Sequence, residues 1–121
     1  MLRTLHKISS ALLAALGVVH TALTPVFYGR FTMGALWFAG SGLAMIFVGL
    51  LNLTLSRDVG RDRVVRDFCY TANLLTLGFG LLFVTLDQEP QVIFGVVMIV
   101  LMTITAFTLS GTQSNPPANP L

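Results

Sequence analysis

The chain has 121 residues, of which 55% are hydrophobic and only 10% charged, against about one-quarter charged in an ordinary soluble domain. That composition excludes a water-soluble globule and points to one integral membrane domain. A formal net charge of +2 and a pI near 9.2 do not indicate nucleic acid, because the basic residues stand at helix ends and in one loop rather than along a solvated face.

The first apolar segment predicts a helix over residues 5–24, ended by Pro25, which cannot continue a hydrogen-bonded ladder and pushes the preceding residue out of helical geometry. Its basic start followed by an apolar run imitates a signal peptide. The run is long enough to span, however, at about 1.5 Å per residue across a core about 30 Å thick, and it is kept as a spanning helix. Ser10, Ala14, Gly17, Thr21 and Thr24 recur at spacings of four and three, giving a narrow face of small residues that admits another helix backbone closely. His20 is read as the one ionisable side chain well inside an apolar stretch and is therefore the first candidate site. The plainer reading is a neutral imidazole hydrogen-bonded to a neighbouring helix. His6 precedes it by fourteen positions, about 21 Å along the axis, so the two histidines cannot ligate one haem within a single chain.

Residues 25–32, PVFYGRFT, with Trp37 a little further on, have the aromatics and single arginine that a membrane interface attracts. Interfacial anchoring is the ordinary reading, and a lid over a small-molecule pocket is the sharper one. A second helix is predicted over 33–55. Ala39, Gly42 and Gly49 fall on one face with Ala35, and Gly40 with Ala44 adds a small pair beside it. Asn52 extends the same face, where its amide must meet another helix rather than lipid.

The segment 56–67, SRDVGRDRVVRD, holds four of the seven Lys+Arg and three of the five Asp+Glu, with Gly60 marking a turn. Arg3 and Lys7 lie before the first helix, whereas the other two connections carry Arg30 alone and the pair Asp87 and Glu89. The positive-inside rule then places both termini and the charged loop in the cytoplasm. A third helix is predicted over 65–86, with Arg66, Tyr70, Asn73, Leu77 and Gly80 on one face. Together with Asn52, and with Ser9 and Ser10, these form an expected polar cluster in the inner half of the bundle, explained either by interhelical hydrogen bonds or by a ligand. A fourth helix is predicted over 91–110, opened by Pro90 and free of ionisable groups. The tail 111–121, with three prolines and no charge, is expected to be disordered. The fold expected is thus an all-α four-helix membrane bundle, residues 1–110 forming one domain in the inner membrane of a bacterium.

A P-loop, a dinucleotide fingerprint, HExxH, GxSxG and paired cysteines are all missing. The lone Cys69 reads as a small apolar residue near a helix start. No carboxylate is expected inside a helix, and the four-helix small multidrug exporters, similar in length, differ by carrying one in their first helix. The stretches GVVHTALTP from Gly17 and ALWFAGSGLAMIFVGLLN from Ala35, with the hydropathy plan from Leu5 to Ser110, resemble the DoxX-like and similar small bacterial four-helix membrane proteins. The resemblance implies the four-helix membrane plan and carries over no activity and no site residue.

The sequence therefore favours a non-catalytic structural or accessory subunit, with a membrane partner or a second copy bound through the small faces of the first or second helix. Two other readings stand beside it. One is a small-molecule carrier with an intrabundle cavity lined by His20, Asn52, Arg66, Tyr70 and Asn73. The other is a redox subunit holding haem through His20, or a quinone. No cofactor is assigned, and no metal or nucleic acid is expected.

Overall fold

The computed structural model describes residues 1–57 and 62–113. All regular structure among them is helical: α1 (Leu2–Ala22), α2 (Thr24–Phe27), α3 (Met33–Leu55), α4 (Arg63–Leu86) and α5 (Pro90–Gln113). Four runs, namely Leu2–Phe27, Met33–Leu55, Arg63–Leu86 and Pro90–Leu109, are long and apolar enough to cross a membrane. The fold is an all-α four-helix bundle. Its surface carries large apolar side chains on all four helices, among them Val18, Phe47, Leu75, Phe79 and Ile104. Water would not tolerate that much exposed apolar surface, and lipid does.

Local chemistry sets the element ends. The Thr32 side chain accepts from the Ala35 amide at 3.2 Å and caps α3. Asp62 Oδ1 accepts from the amides of Val64 (2.7 Å) and Val65 (3.3 Å) and starts α4 two residues before its expected beginning. The orphan amides of a first turn need such acceptors. Asp67 lies within α4, as it does within the helix expected over 65–86, so the expectation of no carboxylate inside a helix does not hold. Asp67 is exposed and 3.8 Å from Arg63 one turn away, where such a pair contributes little.

Pro25 does not end a helix as expected. α1 ends at Ala22 and α2 begins at Thr24, so Pro25 sits in the first turn of α2, where its missing N–H is no loss. At the other end, α5 continues through Gly111 to Gln113, so the tail does not begin at 111. Nothing before Pro116 removes a backbone donor, and the ladder runs on. The turn expected at Gly60 and the tail from 114 onward lie outside the described residues.

The helices stand in a ring. α1 packs extensively on α3 and less so on α5, α5 packs on α4, and a smaller α4–α3 contact closes the ring, while α3 and α5 meet only slightly across the bundle. The start of α1, the end of α3, the start of α4 and the end of α5 therefore share one end, and α2 with the α4–α5 turn occupies the other.

The α1–α3 contact is the tightest. A Cβ on Gly17 would lie 2.5 Å from the Gly42 carbonyl oxygen and 2.8 Å from the Ile46 amide, and one on Gly49 would lie 2.6 Å from the Ser10 carbonyl oxygen. A Cβ on Gly42 would collide with Thr21 Oγ1. Thr21 Oγ1 itself donates to the Gly17 carbonyl (2.9 Å) and reaches the Ala39 carbonyl at 3.5 Å. The small faces read from the sequence thus pack against each other within one chain and are not free for a second copy. Gly80 approaches α5, where an added Cβ would meet Val96 Cγ2 at 3.2 Å. Leu13, Val48, Ile99 and Met102 fill the middle of the bundle, and Leu55, Cys69 and Ala106 fill the end that holds the start of α1.

Candidate functional site

The interior is polar at one end. His6, Ser9, Ser10, Asn52, Asn73, Thr103 and Thr105 are all buried, with His6, Ser10, Asn52 and Asn73 wholly so. Four of these come from four different helices and meet. His6 Nε2 lies 3.0 Å from the Asn52 backbone carbonyl, and His6 Nδ1 lies 2.9 Å from Thr105 Oγ1. A carbonyl only accepts, so Nε2 carries the proton and the Thr105 hydroxyl donates to Nδ1 in the neutral ring.

The two asparagines form a reciprocal pair. Asn52 Nδ2 donates to Asn73 Oδ1 at 2.6 Å, and Asn73 Nδ2 donates to Asn52 Oδ1 at 2.9 Å. The second Asn52 Nδ2 proton goes to the Val48 carbonyl, 2.9 Å away. The surrounding hydroxyls turn back onto their own helices: Ser9 and Ser10 donate to the His6 carbonyl and Thr103 to that of Ile99. This is what buried polar groups require where no water can serve them. The result is a polar knot that ties α1, α3, α4 and α5 together.

Only part of the expected cluster is assembled here. Asn52 and Asn73 come together, and Ser9 and Ser10 lie beside them. Tyr70 is directed to α5 and stacks on Phe107 with ring centroids 4.3 Å apart. Arg66 is half-buried and makes no side-chain hydrogen bond or ion pair with a described residue. Cys69 is buried, its thiol 3.4 Å from the Leu51 carbonyl.

His20 belongs to the opposite end, about 21 Å away along α1. Its Nε2 lies 3.0 Å from Ser41 Oγ, and its ring stacks on Phe38 at 3.7 Å. Phe27 and Tyr28 pack around the same Phe38 at 5.7 and 5.6 Å. His20 is therefore only partly buried, at an aromatic corner formed by α1, α2 and α3. Beside this corner lies an open cleft of about 410 Å³ bordered by Thr24, Tyr28, Arg30 and Phe31.

The deeply buried ionisable residue is His6, whereas the sequence pointed to His20 as the first candidate site. The signal that identifies it is the buried row itself, His6, Ser9, Ser10, Leu13 and Gly17. That row continues the small face one turn toward the N-terminus. Among the described residues, no group of three or more His, Cys, Asp or Glu side chains is placed to hold a metal ion.

Compared with known family models, curated proteins and solved structures, the chain matches none. The functional reading therefore rests on the arrangement itself.

Proposed function

We propose that this chain is a multi-pass protein of the bacterial inner membrane, with both termini and the 56–67 segment on the cytoplasmic side, acting as a non-catalytic structural or accessory subunit. The observation that carries the reading is the polar knot. His6, Asn52, Asn73 and Thr105 use their hydrogen-bonding groups on one another and on backbone. Such a network fixes helix order and register, and it leaves no group poised toward a substrate. The orientation follows from the arginines and lysines at the end with the start of α1, against Arg30 alone at the other.

Neither histidine favours the haem reading. Ligation by His6 would break its bond to Asn52 or to Thr105, according to the nitrogen used, and His20 already holds Ser41 through Nε2. With α1 and α3 occupied by each other, a partner subunit meets the lipid-facing sides of the bundle, where Gly40 on α3 stands open. The test is purification from native membranes followed by mass spectrometry of everything retained. A membrane protein recovered in stoichiometric amount is the expected result. A stoichiometric small molecule that is lost in a folded Asn73→Leu variant, with no protein partner, would overturn the reading in favour of a carrier.

A further inference from the structure

The hydroxyl-bearing side chains of the bundle follow one habit. Thr21 donates to Gly17, Thr76 to Ala72, Thr103 to Ile99 and Thr108 to Ile104, each to a carbonyl four residues earlier. Thr24 breaks it. Thr24 Oγ1 is the one buried side-chain nitrogen or oxygen among the described residues without a hydrogen-bond partner. A shielded hydroxyl with no acceptor is costly, and a native fold keeps one where something else supplies the acceptor.

What surrounds Thr24 states the chemistry of that acceptor. It borders the open cleft of about 410 Å³ together with Tyr28, Arg30, Phe31, Pro25 and Ala35. Arg30 is exposed and forms no ion pair among the described residues; the carboxylates at this end, Asp87 and Glu89, lie on the α4–α5 connection, where Asp87 Oδ1 takes the Glu89 amide. The Tyr28 ring is held in place, against Phe38 on one side and close to Gly34, where a Cβ would sit 3.2 Å from the ring. Arg30, Tyr28 and Thr24 thus border one cleft together with the apolar Pro25, Phe31 and Ala35. They offer donors and positive charge and no acidic group, at the end of a spanning bundle where headgroups meet acyl chains.

We infer that this cleft binds an anionic amphiphile, its phosphate or carboxylate head taken by Arg30 and the Thr24 hydroxyl and its tail laid along Pro25, Phe31 and Ala35. Guanidinium pairs readily with either oxyanion through charge-assisted hydrogen bonds. The inference rests on the membrane reading but not on the accessory role. A chain that extracts only with detergent yet binds no amphiphile fails here alone.

The test is native mass spectrometry of the detergent-solubilised full chain with four probes: phosphatidylglycerol, phosphatidylcholine of the same acyl chains, oleate and inorganic phosphate. Phosphatidylglycerol or oleate is expected to bind about tenfold more tightly than phosphatidylcholine, and Arg30→Gln to abolish that difference. Thr24→Val, close to isosteric, should weaken the same probe about threefold to tenfold. Phosphatidylglycerol ahead of oleate identifies a phospholipid, and the reverse order a fatty acid. Arg57→Gln, at the other end of the bundle, should leave binding unchanged. Equal binding of the two phospholipids, binding of inorganic phosphate as tight as either amphiphile, or an equal loss in Arg57→Gln and Arg30→Gln would overturn the inference. Both Arg30 and Arg57 are exposed, so these variants fold, and an unchanged unfolding midpoint verifies it.

Discussion

Replacing Asn73 by leucine tests whether the polar knot holds the bundle together. The variant removes both bonds between the asparagine side chains, at 2.6 and 2.9 Å. Interhelical hydrogen bonds in membranes average about 0.6 kcal/mol and reach about 1.7, so the pair contributes roughly 1–2 kcal/mol. The larger cost is the Asn52 carbonyl oxygen, left without a donor in a residue with 0% exposure, at roughly 1–3 kcal/mol. Asn73→Leu should therefore destabilise by about 3 kcal/mol, read from unfolding in mixed micelles with increasing denaturing detergent. Asn52→Leu should cost at least as much, since it also surrenders the bond to Val48. The double variant leaves neither amide orphaned and should cost about 2 kcal/mol less than the sum of the singles. Strict additivity, or an Asn73→Leu protein as stable as the parent, would refute the reasoning.

Other substitutions separate close contacts from open ones. Gly17→Val and Gly42→Val should each part α1 from α3 and destabilise by several kcal/mol, because the added atoms meet backbone that cannot give way. Gly40→Val and Gly78→Val, where an added Cβ meets nothing within 4 Å, should stay within about 0.5 kcal/mol of the parent by the same assay. His6→Phe should be markedly more destabilising than His20→Phe, since His6 is wholly buried with both nitrogens engaged, whereas a phenylalanine at 20 retains the stack on Phe38. Equal effects would place the two histidines in equivalent roles. Asp62→Ala should lower stability by about 1 kcal/mol through loss of the α4 cap.

Hydropathy and length made the four spans legible, because lipid demands uninterrupted helices of nearly fixed length and leaves little room for another solution. The limits of α3 were readable to the residue, since Thr32 is a good capping residue at the edge of a long apolar run. The starts and ends of the other helices shifted by up to a few residues for local reasons, such as the Asp62 cap and the placement of Pro25 in a first turn. Small-residue spacing located the faces of Gly17, Gly42 and Gly49, but it does not say which helix a face meets. That choice depends on how the ring closes, a tertiary property. The knot was half visible. Asn52 and Asn73 stood out as amides in apolar helices, while His6 was masked by its charged and exposed neighbours Arg3 and Lys7. Arg66 and Tyr70 share a helical row with Asn73, yet the row is wide enough that Tyr70 meets α5 instead. The unpartnered Thr24 hydroxyl had no sequence signal at all, because hydrogen-bond satisfaction is a tertiary property.

The central claim is that four spans hold the termini and the charged connection on the cytoplasmic side. Single cysteines introduced at Arg3, Arg30, Arg57 and Gln88 in a Cys69→Ser background, probed on intact spheroplasts with a membrane-impermeant maleimide, test it most directly. The account predicts labelling at 30 and 88 without lysis, and at 3 and 57 only after lysis. Labelling at 3 or 57 from outside, or protection at 30 and 88, would contradict it.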